Sequence, residues 1–178
     1  MMEVLVTIII LLLGLLALVA LQGRLQVSEI EAYQRSQAIL LLKDMANRLA
    51  TNRTQSESYV TGITWPVGAG GACPSGTQRY QQDASDWCEA LQGAAEVVGT
   101  TRVGTMLGGR GCIQRLSAAG AANREYLVTV TWQGMRPQSA PPASVTCGAG
   151  AYDGDGTECT GDRCRRYLTT VVRIAGLR

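Results

Sequence analysis

A chain of 178 residues with 16 basic and 14 acidic side chains carries a net charge of +2, so no global field recruits nucleic acid or a membrane surface. Histidine is absent, which removes the commonest general base and the commonest metal ligand, and with them most nucleophilic triads and zinc sites. Phenylalanine is absent too, and 21 glycines point to many turns.

The first element is the run over residues 4–23, VLVTIIILLLGLLALVALQG, uncharged between Glu3 and Arg24. At about 1.5 Å rise per residue, a helix of that length covers roughly 30 Å, the thickness of a bilayer's hydrocarbon core, with Val4 and Leu21 towards the ends of the transmembrane part. Glu3 sits directly against this run, where an acid either stays at the interface or finds a partner. A cleaved secretory signal would need a basic start and a small-x-small site; here the start is Met-Met-Glu, and a cut after Ala20 places Leu18 where a small residue belongs. A plain membrane anchor would make Glu3 an acid favoured by the helix dipole, worth under ~1 kcal/mol at an exposed site. A third reading is an anchor that later serves as an assembly element.

Residues 24–52 continue the helix as an amphipathic half. Ala38, Leu42, Met45 and Leu49 follow the 3,4 spacing of one face, Ile30 and Tyr33 lead into it, and Leu40 and Leu41 widen it. Glu29, Glu31, Arg35, Lys43, Asp44 and Arg48 take the other face. This stripe reads as packing against a globular domain rather than as a cofactor site. No proline precedes Pro66, so one nearly continuous helix is expected from Met2 to about Asn52, ~75 Å long, with Gly14 and Gly23 as its soft points.

Residues 53–178 then form a single globular domain. Residues 53–82 read as a connecting loop with a turn at Trp65-Pro66 and a short strand over residues 58–64. Residues 83–98 read as a helix capped by Asp83 or Ser85, with Trp87, Leu91, Ala94, Ala95 and Val98 at helical spacing. Gly108-Gly109-Arg110-Gly111 lacks the Lys-Ser/Thr of a phosphate-binding loop and reads as a turn before a strand at residues 112–116. Residues 125–133 alternate with period two, placing Tyr126, Val128, Val130 and Trp132 on one side. Residues 165–174 are the natural partner, across a long proline- and glycine-bearing loop. Late strands after early helices predict an α+β fold, an antiparallel sheet packed on the long helix.

Six cysteines, Cys73, Cys88, Cys112, Cys147, Cys159 and Cys164, all follow the apolar run. The even count predicts disulfides in an oxidising compartment, since no Cys-x-x-Cys and no histidine supports a metal site. If this domain is periplasmic, the N-terminus faces the cytoplasm. Asp153, Asp155 and Glu158, followed by Asp162, offer oxygens of the kind calcium takes, but the spacing departs from the twelve-residue calcium loop and a solvated turn explains them better. Arg163, Arg165 and Arg166 form a small cluster that reads as a solvated strand edge, so no nucleic-acid partner is expected. No constellation supports enzymology and no cofactor is expected.

Glu3 with VLVTIIILLLGLLALVALQ resembles the N-terminal segment of type IV pilins. YLVTVTWQG at residues 126–134 and RRYLTTVVRI at residues 165–174 resemble the two late strands of PilV-type minor pilins, and DWCEAL at 86–91 with GRGCI at 109–113 resembles their middle. The resemblance implies a type IV pilin-like fold and a minor pilin of a type IV pilus, acting in assembly or priming, with adhesion or motility as further roles. It implies pairing of Cys88 with Cys112 and of Cys147 with Cys159 or Cys164. Its implied partners are major and minor pilins along the N-terminal helix, the inner-membrane assembly machinery, and membrane lipid before assembly. In that family a basic leader is cleaved and the new N-terminus methylated, and the glutamate neutralises a neighbour's terminal amine. Only Met1 and Met2 precede Glu3 here, so the leader and the opening residues of the processed chain are expected to be missing, through a start codon assigned too far downstream or a shortened expressed segment. The alternatives are a pseudopilin of a type II secretion system and a membrane-anchored periplasmic domain.

Overall fold

The computed structural model describes residues 2–69, 71–93, 97–98, 101–102, 106–118 and 120–176. Helix α1 (Met2–Thr51) runs without a break at Gly14 or Gly23. The chain forms two compact units, one up to Tyr33 and one from Gln34 onwards. In the first, every large apolar side chain from Val4 to Leu21 is between 47% and 66% exposed, and the segment is long and apolar enough to cross a membrane. Ile30 and Tyr33 are exposed as well, so the buried stripe begins only at Gln34.

In the second unit, α1 places Ala38, Leu42, Met45 and Leu49 in the core, as their spacing predicts. Leu41 packs partly against that core, whereas Leu40 points to solvent and does not widen the stripe. After α1 come a 3₁₀ turn (Arg53–Gln55) and a single helical turn, α2 (Ser58–Thr61), where a strand was expected. The Glu57 carbonyl accepts the N–H groups of Val60 and Thr61 at 3.0 and 3.1 Å, and Trp65 Nε1 donates to the Tyr59 carbonyl at 3.0 Å. These bonds fold the segment inward so that Tyr59 is wholly buried, and tertiary packing overrides the β preference of Tyr, Val and Thr.

Strand β1 (Val67–Gly68) precedes helix α3 (Arg79–Leu91). The helix starts before either expected cap: the Gln81 side chain accepts the Gln78 N–H at 3.2 Å, and Asp83 lies inside the helix, 1% exposed. It ends sooner than expected too. Gly93, at φ +87°, takes the left-handed conformation that stops it, and Val98 belongs to strand β2 (Val97–Val98), paired with β3 (Thr101–Arg102). Ala94 and Ala95 lie outside the described residues.

The main sheet comprises β1, β4 (Arg110–Arg115), β5 (Asn123–Gln133) and β6 (Arg165–Ala175) in the order β1-β4-β5-β6, antiparallel throughout. Tyr126, Val128, Val130 and Trp132 project from β5 into the core, joined by Ile113 from β4 and by Val172 and Ile174 from β6. Gly111 is required here because the Trp87 ring lies 2.2 Å from where a Cβ would stand. Trp87 Nε1 donates to the Leu41 carbonyl at 2.9 Å, and its ring meets Trp65 edge to face at 6.0 Å. Trp87 therefore fixes α3 against both α1 and β4.

The opposite face of β5 is not simply solvated. Thr129 and Thr131 are 2% and 0% exposed because the β5–β6 connection folds back over them. Tyr152 Oη donates to the Gly108 carbonyl at 2.9 Å and so accepts from Thr131 Oγ1 at 2.9 Å. Burial raises the Tyr152 phenol above its ordinary value, and the Arg110 guanidinium sits 5.0 Å from the ring centroid. Further along the same face Leu116 and Val171 stay exposed. The result is the α+β, pilin-like architecture expected: a long N-terminal helix followed by an antiparallel sheet with disulfide-held loops.

Candidate functional site

Glu3 stands in the first turn of α1, directly ahead of the exposed apolar residues. Thr7, the only hydroxyl in that stretch, donates to the Val4 carbonyl at 2.9 Å, so its polar group is satisfied within the helix. From Val4 to Leu21 the segment therefore presents apolar side chains all round, with a carboxylate at one end.

The six cysteines form three disulfides, Cys73–Cys88, Cys112–Cys147 and Cys159–Cys164. The pairing implied by resemblance, Cys88 with Cys112 and Cys147 with one of the last two, is incorrect. Cys88 is on the face of α3 that meets the segment after β1, while Cys112 points from β4 to the opposite side of the sheet and reaches the loop at Cys147. The sheet itself separates them.

That geometry also reassigns the arginine cluster. Arg165 is not on a solvated edge: it is 4% exposed, donating to the carbonyls of Val145 at 2.6 Å and Cys147 at 2.9 Å and to the Asp162 carboxylate at 3.0 Å. It clamps the covering loop beside the Cys112–Cys147 bridge. Arg166 donates to the carbonyls of Arg163 and Arg136 at 3.2 and 2.6 Å. The acidic loop is spent on similar work. Asp153 accepts the Asp162 N–H at 2.8 Å, and Asp162, at φ +62°, accepts the Gly150 N–H at 2.8 Å, while Asp155 and Glu158 are exposed. Among the described residues no group of three His, Cys, Asp or Glu side chains is arranged for a metal ion.

Sequence reasoning missed a polar cluster joining α1, α2 and α3. Arg48 donates to Asp44, Asp83 and Asp86 at 3.0, 3.0 and 2.9 Å; Arg79 pairs with Asp83 at 3.2 Å; and Tyr59 Oη donates to the Asp83 carboxylate. Burial and this bond to Asp83 both raise the Tyr59 phenol well above its ordinary value. Burial alone would lower the Arg48 guanidinium, but the bonds to Asp86, Asp44 and Asp83 more than offset it and hold the charge. The signal was a carboxylate inside a helical apolar stripe, since Asp83 shares a face with Trp87 and Leu91.

A groove of about 700 Å³ runs between α2 and β4, bridged by the Arg115–Glu57 ion pair and lined in part by Trp65, Ile113 and Thr146. Comparison with protein-family models, with curated proteins and with solved structures returns no match.

Proposed function

We propose that this chain is a minor subunit of a type IV pilus, of the PilV type. It is held in a bacterial inner membrane by α1, with its cysteine-bearing domain in the periplasm, and is later drawn into the extracellular filament. The observation that carries this reading is Glu3 at the head of a segment exposed on every side, on the same helix whose later turns supply Ala38, Leu42, Met45 and Leu49 to a folded core. Such a segment exchanges lipid for the matching helices of neighbouring subunits at small solvation cost, because both surroundings are apolar. The three disulfides support an oxidising compartment. Burial of Arg165 takes the central member out of the basic cluster a DNA-binding pilin would need.

Glu3 supplies register by pairing with the terminal amine of an adjacent subunit. Removing one partner of a buried ion pair costs about 3–5 kcal/mol. Glu3→Ala and Glu3→Leu are therefore expected to keep the protein in the membrane fraction while abolishing its recovery in sheared filaments. Normal recovery of either variant in filaments would overturn the assignment.

A further inference from the structure

Strand β6 closes the sheet on one side, and no described strand pairs with its outer edge. Gly134 N–H donates to the Cys164 carbonyl at 2.7 Å, and the register runs without a bulge from Gln133↔Arg165 to Asn123↔Ala175. Antiparallel bonding alternates, so Arg166, Leu168, Thr170, Val172 and Ile174 exchange bonds with β5. Tyr167, Thr169, Val171, Arg173 and Ala175 turn their N–H and C=O groups outwards. Edge strands are normally blunted by short length, proline, bulges or charged side chains; β6 has eleven residues, no proline and no bulge, its charges (Arg165, Arg166 and Arg173) lie towards its two ends, and its uncharged middle from Tyr167 to Val172 includes Val171, 44% exposed.

From this edge we infer that the domain pairs with a second copy of itself, β6 to β6 and antiparallel, about a twofold axis at Thr170. The sequence of the strand selects the occupant. Full-length overlap opposes Arg165 with Ala175, Arg166 with Ile174, Tyr167 with Arg173, Leu168 with Val172 and Thr169 with Val171. No arginine meets another, and the outward-bonding residues of one copy all face outward-bonding residues of the other, as the ladder requires. Each Arg173 guanidinium comes over the Tyr167 ring of the other copy while its Nε stays bonded to Glu125 at 2.8 Å. The next register in one direction opposes Arg165 with Arg173; the next in the other direction separates Tyr167 from Arg173. By symmetry every contact except the Thr170 pair on the axis is made twice. The proposal stands independently of the filament assignment.

The test is sedimentation velocity of the detergent-solubilised full-length chain over a concentration series. A reversible dimer is expected. The Thr169 N–H faces away from β5, so Thr169→Pro removes no bond within the sheet but deletes two intermolecular donors per dimer, weakening it roughly thirtyfold. Val171→Lys, which sets a lysine on the edge without touching the backbone, is expected to shift the chain to monomer as well. Non-reducing peptide mapping verifies the three native disulfides in each variant, and Val171→Lys decides the matter if the proline variant fails that check. A monomeric parent chain at every concentration, or a dimer unaffected by the edge substitutions and so held by the apolar helix, would overturn the inference.

Discussion

Gly111→Ala adds a single methyl group to β4, yet it should be among the most damaging small substitutions in the domain. The new Cβ would stand 2.2 and 2.3 Å from Trp87 Cη2 and Cζ3 and 2.9 Å from Leu91 Cδ1. Ordinary contact begins at 3.4 Å, so the indole must retreat by about 1 Å, the difference between 3.4 and 2.2 Å. It has nowhere to go: Trp87 is wholly buried, its Nε1 is bonded to the Leu41 carbonyl, and Trp65 closes one side. Overpacking of a close-packed core costs about 1–3 kcal/mol, and stretching a buried hydrogen bond adds about 1 kcal/mol. A loss of about 3 kcal/mol is expected, read as a lower urea midpoint at unchanged slope in equilibrium unfolding of the full-length chain with its disulfides intact. Trp87→Phe shortens the ring, so the double variant Gly111→Ala, Trp87→Phe should be more stable than the two single losses predict, by at least about 1 kcal/mol. A Gly111→Ala chain within about 0.5 kcal/mol of the parent, or a strictly additive cycle, would refute the reasoning.

Asp83→Ala removes a buried carboxylate that accepts from Arg48, Arg79 and Tyr59; because both arginines keep access to water, the loss belongs near about 2–3 kcal/mol rather than at the top of the range for buried pairs, measurable by the same urea titration. The disulfides should rank by the chain they enclose. Serine in place of Cys112 and Cys147, spaced by 35 residues, should cost about 4 kcal/mol, against about 2 kcal/mol for Cys159 and Cys164, spaced by 5, and an inverted order of thermal midpoints would contradict the loop-entropy argument. The Tyr59 phenol, raised by burial and by Asp83, favours the folded chain in its neutral form. Its contribution is complete below the ordinary value near 10 and is lost as pH climbs above it, and Tyr152 acts in the same sense. Stability should therefore fall above about pH 10, less steeply in Tyr59→Phe, and an unchanged alkaline slope in that variant would exclude Tyr59 as a source.

The parts legible in the sequence are those where one periodicity acts alone. The 3,4 spacing of Ala38, Leu42, Met45 and Leu49 and the alternation through Tyr126, Val128, Val130 and Trp132 each mark a face that meets the core, and both faces are buried. What was not legible depends on neighbours distant in sequence. Residues 58–64 carry strand-forming side chains, but burying Tyr59 against Asn52 and Asp83 turns the first four of them into α2. Asp83 has the chemistry of a cap and the position of an ion-pair partner, a choice that Arg48, on another helix, decides. The cysteine pairs depend on which face of the sheet each thiol occupies, and Arg165 looks like a surface charge until the loop that covers it is placed. For the candidate site, Glu3 and the apolar run were evident at once, because a membrane-length segment needs no tertiary context to be recognised.

The connection between β5 and β6 draws its shape from fastenings at its edges: the Cys112–Cys147 bridge, the Arg165 clamp and the Tyr152 hydroxyl. The turn at Gly156 has fastenings of its own, the Cys159–Cys164 bridge, the Gly154 N–H donating to the Cys159 carbonyl at 3.0 Å and the Thr157 hydroxyl donating to the Gly154 carbonyl at 2.8 Å, while a Cβ at Gly156 would meet nothing within 4 Å. The connection is thus fastened in two places, each closed by its own disulfide. A short epitope spliced in beside Gly156 would enter open space, and because the Cys159–Cys164 bridge closes the base of its turn, the strain of the insertion would stop there and leave the Cys112–Cys147 bridge and the Arg165 clamp in place.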